Sequence, residues 1–64
     1  MPHDFYPDLI RLLAAAGWRR VTGGKGSHEK WRHPDPPRTI IVPHPRSRHT
    51  ANGVLKQAGL PKAF

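Results

Sequence analysis

The chain has 64 residues, 36% of them hydrophobic, and a chain of that size buries only about 60% of the surface its unfolded form exposes, which excludes a second domain and an enclosed cofactor cavity. Eleven Lys and Arg against four Asp and Glu leave a formal charge of +7, so a polyanionic partner is expected, nucleic acid first. With no cysteine there is neither a disulfide framework nor a thiolate metal site, and with no apolar run near the roughly 18 residues of a membrane span, nor a signal-type segment after Met1, a cytoplasmic protein with no membrane partner is expected.

Leu9, Ile10, Leu12, Leu13 and Ala16 recur at helical spacing, with Arg11, Ala14 and Ala15 on the other face. This predicts an amphipathic helix over 7–16, with Pro7 in its first turn and Gly17 as its left-handed stop. Trp18, next after the stop, supplies the apolar contact that such a cap makes with Leu13. Residues 18–22 alternate bulky and basic side chains and predict a first strand. Gly23, Gly24, Lys25 and Gly26 then predict a hairpin turn, and 27–33 a second strand.

Pro34, Pro36 and Pro37 are expected to break that strand, and the β-branched stretch 38–42 to form a third, ended by Pro43 and Pro45. Residues 43–49 read as a basic loop. Thr50 is the expected N-cap of a closing helix that carries Val54, Leu55 and Ala58, stops at Gly59 and contacts Leu60 as the first helix contacts Trp18. Gly53 weakens this helix by about 1 kcal/mol.

Two helices on one face of a three-stranded antiparallel sheet leave the other face open. On the second strand Glu29, Trp31 and His33 share the side expected to meet the helices, and His28, Lys30 and Arg32 share the other. An imidazole beside two cations suits a phosphodiester backbone. Trp18 and Trp31 are assigned to the core rather than to base stacking, since so small a core needs its large aromatics. The glycine run around Lys25 joins two strands instead of opening a helix, so it is not a phosphate-binding loop of the nucleotide-binding type, though Lys25 at its tip can reach a phosphate. Five histidines raise the question of zinc, but they show no paired helical spacing and no cysteine completes a site, so no metal and no cofactor are expected. Arg46, Arg48 and His49 read either as a solvated loop or as a backbone clamp.

Gly26-Ser27-His28, preceded by Gly17-Trp18 and followed by Trp31, resembles the corresponding motif of the HicA family of mRNA interferase toxins. The likeness continues through Val42-Pro43 and the stretch Leu55-Lys56-Gln57-Ala58-Gly59-Leu60, so it covers 1–64 as one HicA-like domain. The resemblance implies an α+β, double-stranded-RNA-binding-domain-like fold, in agreement with the order read from periodicity. It also implies a toxin of a type II toxin–antitoxin system, a metal-independent endoribonuclease that cleaves mRNA, arrests translation and growth, and is silenced by a HicB-type antitoxin.

The family's single catalytic histidine falls on His28, and Lys25, Lys30, Arg32, His44, Arg46 and Arg48 become the expected RNA-binding residues. Many members carry a histidine two residues after the valine-proline, where this chain has Pro45, and His44 is the candidate to take its place. The usual glycine before the helix-capping threonine is here His49. One alternative is a non-catalytic RNA-binding module on the same fold, which would bind a duplex by shape and 2′-hydroxyl contacts. Another is a small ribosome-associated protein whose charge neutralises rRNA.

Overall fold

The computed structural model describes residues 4–21, 28–35 and 37–64. It contains α1 (Tyr6–Ala15), β1 (Arg19–Val21), β2 (Glu29–Pro34), β3 (Pro37–Val42) and α2 (Arg48–Gln57). β2 is the central strand, antiparallel to β1 on one side and to β3 on the other. Leu9 and Leu13 of α1 and Val54 and Leu55 of α2 form one core with Trp18, Trp31, Ile40 and Val42. The alternate residues Lys30, Arg32, Thr39 and Ile41 are exposed. Because strand side chains alternate between faces, this pattern puts both helices on one face of the sheet and leaves the other open. The α+β, double-stranded-RNA-binding-domain-like layout expected from the sequence is the observed one.

Both helices end in the same way. Gly17 and Gly59 have φ of +98° and +75°, the left-handed region where a side chain is costly. Behind each, the next residue's N–H turns back into the helix: Trp18 N–H to Leu13 O at 3.0 Å, and Leu60 N–H to Leu55 O at 2.8 Å. These bonds satisfy carbonyls that the helix end would otherwise orphan. The first one buries Trp18, which is 1% exposed, and so directs the chain into β1.

Several boundaries differ from the sequence expectation. α1 begins at Tyr6, and Leu12 lies outside the buried stripe at 37% exposure. β2 begins at Glu29, which leaves His28 just ahead of the strand. Pro34 does not break β2 but ends it, paired with Pro37; both stand at the hairpin end, where strands tolerate proline. The N-cap of α2 is Ser47 and not Thr50. Ser47 is extended, at φ −140° and ψ 157°, and its hydroxyl accepts the Thr50 N–H at 3.2 Å. Thr50 therefore sits in the first turn as the residue being capped, and Arg48 and His49, expected in a loop, are helical. The hairpin turn read at 23–26, with Lys25, lies outside the described residues.

Candidate nucleic-acid interface

The open face is built by the register. Lys30 stands opposite Val21 of β1 and Ile41 of β3; Arg32 stands opposite Arg19 and Thr39. Directly opposed residues share a face, so Arg19, Lys30 and Arg32 form a cationic group interleaved with Val21 and with Ile41, which is 47% exposed. Arg19, Val21, Arg32 and Pro34 line a shallow depression of about 310 Å³. Continuing the alternation of β2 back by one residue brings the exposed His28 into line with Lys30 and Arg32.

Next after His28, on the helix-facing side, stands Glu29, a buried carboxylate at 7% exposure. Its Oε2 accepts the Tyr6 hydroxyl at 2.5 Å, its Oε1 accepts Trp31 Nε1–H at 3.1 Å, and Arg20 approaches to 3.6 Å. Burial by itself raises this carboxyl. The two hydrogen bonds and the charges of Arg20 and His44 outweigh burial, and the group lies below its ordinary value. Burial, reinforced by the bond to Glu29, pushes the Tyr6 phenol up to about 12. The His44 ring stacks on Tyr6, with centroids 4.0 Å apart and planes 12° from parallel.

The sequence-predicted residues therefore separate into two groups. Lys30 and Arg32 are exposed on one face of β2, and His28 is exposed immediately ahead of the strand. His44 follows β3 at the same end of the sheet as His28, since Glu29 pairs with Val42 at the head of the ladder, but its ring belongs to the helix layer through Tyr6. Arg46 and Arg48 are exposed on either side of Ser47, the N-cap of α2. Lys25 lies outside the described residues.

His33 is structural. Its Nε2–H donates to Ala16 O at 3.1 Å while Nδ1 accepts the Asp35 N–H at 3.1 Å, which joins the end of β2 to the cap of α1. Among the described residues no three His, Asp or Glu side chains are grouped to hold a metal, and no helix is long and apolar enough to cross a membrane.

Sequence reasoning missed Arg19, Glu29 and Tyr6. Arg19 was legible in principle, since it alternates with the buried Trp18 and shares parity with Val21. Alternation puts Glu29 on the helix side with Trp31, but pairing it with a tyrosine 23 residues earlier needs the tertiary fold.

The sequence model of the family described as the HicA toxin of bacterial toxin-antitoxin systems matches residues 6–60, from the first residue of α1 to the residue behind the second glycine cap. No curated protein and no solved structure matches the chain.

Proposed function

Since the chain belongs to the HicA toxin family of bacterial toxin–antitoxin systems, which makes it a toxin and implies an antitoxin partner, we propose that it arrests growth as a metal-independent endoribonuclease that cleaves mRNA with His28 as the proton-transfer group. The observation that carries this reading is the position of His28: exposed, immediately ahead of the strand that exposes Lys30 and Arg32, and next to the pinned carboxylate of Glu29. A rigid neighbour holds the backbone of a solvent-facing imidazole, as proton transfer to a bound substrate requires.

RNA brings its own nucleophile. His28 takes the proton of the 2′-hydroxyl, the 2′-oxygen forms its bond to phosphorus, and the bond from phosphorus to the 5′-oxygen breaks, the leaving oxygen taking a proton from water. Lys30 and Arg32 stabilise the charge that grows on the phosphoryl oxygens. Imidazole suits the first step because one ring nitrogen can accept a proton while the other keeps its own. The toxin works in the cytoplasm, where mRNA is found. The antitoxin silences it by laying acidic side chains over the same residues, which blocks binding and chemistry together.

Mass spectrometry of the fragments tests the chemistry. The expected ends are a 2′,3′-cyclic phosphate and a 5′-hydroxyl, formed in the presence of EDTA, with 2′-O-methyl substrates bound but uncut. Fragments with 5′-phosphate ends, or activity lost in EDTA and restored by magnesium, would overturn the mechanism. RNA that is bound and stays intact would leave a binding module.

A further inference from the structure

Arg19 and Arg32 are directly opposed on neighbouring strands of the open face, and like charges in that position repel. Neither is balanced there by an acid, since the facing residues of the described sheet are Val21, Lys30, Thr39, Ile41 and the two prolines. Arg19 is nevertheless held in place: its Nη1 donates to Trp18 O at 3.0 Å and to Ala14 O at 3.3 Å. Among the described residues nothing else engages the remaining donors of its planar fork, which can meet an anion. Arg19 and Arg32 line one depression together with Val21 and Pro34, whose apolar part suits the flank of a sugar.

Spacing relates this pair to His28. Residues two apart on a strand stand about 6.6 Å from one another, as Lys30 and Arg32 do on β2; His28 immediately precedes the strand, and an extended step from it to Lys30 sets Arg32 about 13 Å from His28. One sugar–phosphate repeat is too short to cover that distance and two cover it. We infer that the Arg19–Arg32 pair is a phosphate subsite for the RNA strand, two linkages from the bond at His28, with Lys30 on the linkage between. The inference rests on the ribonuclease reading for the position of the cut and adds what that reading lacks: the direction of the strand along β2, a subsite on β1, and a minimum substrate length.

The test uses single-stranded oligoribonucleotides with 2′-O-methyl at the cut position and one uncharged methylphosphonate linkage moved along the chain, with dissociation constants read by fluorescence anisotropy at fixed salt. Wild type should lose about three- to tenfold in affinity when the linkage two steps from the cut, on one side only, is made neutral. R19A and R32A should start weaker and lose almost nothing further at that linkage, while keeping full sensitivity one step from the cut; K30A should show the reverse. R19K, which keeps the charge and loses the fork, should recover part of the response, and circular dichroism of both Arg19 variants checks the fold. R19A with wild-type sensitivity at every linkage, or with a loss spread evenly over all of them, would overturn the subsite. Cleavable RNA left intact by wild type would sink the ribonuclease reading separately. The linkage series is then indexed from the one silenced in K30A, and it still decides whether Arg19 and Arg32 share the next phosphate.

Discussion

The Tyr6 hydroxyl donates to Glu29 Oε2 at 2.5 Å, which ties the first residue of α1 to the first residue of β2. Through the same two residues the His44 ring is held on Tyr6 and the backbone next to His28 is held by a carboxylate that cannot turn away, because Trp31 holds its other oxygen. Tyr6→Phe keeps the ring stack and removes only this bond. It should cost about 1.5–3 kcal/mol in urea denaturation, the range for a hydrogen bond to a charged group.

The pH dependence of stability should report the same pair. The folded carboxyl of Glu29 lies below its ordinary value, so its contribution is present above the ordinary carboxylate range and is lost as pH falls through the folded value. The phenol is raised from 10.0 to about 12, so its contribution is present below pH 10 and is lost as pH rises towards 12. Denaturation midpoints across pH should fall at both ends in the wild type, and Glu29→Gln should flatten the acid limb. An unchanged acid limb in that variant would show that Glu29 is not the group responsible.

His28→Ala should abolish RNA cleavage and growth arrest while leaving the fold intact, because an exposed residue outside the strand ladder contributes little packing. RNA binding should largely survive. Circular dichroism and thermal denaturation measured alongside a cleavage assay separate the two effects; a variant that loses structure together with toxicity would return His28 to a structural role.

Lys30→Ala and Arg32→Ala should weaken RNA binding for every sequence and each reduce the salt slope by about 0.7, the value for one single-strand phosphate contact. Base preference should hardly move. Affinities over a salt series that keep the wild-type slope in both variants would show that these side chains do not meet the backbone.

Two glycines should respond with opposite signs. A Cβ on Gly17 would adopt an unfavourable φ of +98° and stand 3.1 Å from His33 Nε2, so Gly17→Ala should destabilise by about 1–2 kcal/mol, and by less in a His33→Ala background. Gly53 sits inside α2 with nothing within 4 Å of its Cβ position, and Gly53→Ala should stabilise by about 1 kcal/mol.

The cap of α2 gives a further contrast. Ser47→Ala removes the acceptor of the Thr50 N–H and should cost about 1 kcal/mol, whereas Thr50→Ala keeps that backbone donor and should cost less. Thermal denaturation of the two variants decides the order.

Sequence alone determined the element order, the glycine stops and the two faces of β2. Each of these rests on near neighbours: helical spacing around Leu9 and Leu13, the left-handed freedom of Gly17 and Gly59, and strict alternation from Glu29 to His33. It misplaced the start of α2, since Ser47 and Thr50 are both cap-forming residues three positions apart and only the extended backbone at Ser47 distinguishes capper from capped. The pairings across the chain were decided by tertiary structure. Tyr6 with Glu29, His44 on Tyr6, and Arg19 against Arg32 all depend on strand register and on how α1 lies over the sheet. Those are set by burying Leu9, Leu13, Trp18 and Trp31 in one core, a collective minimum that no local pattern encodes.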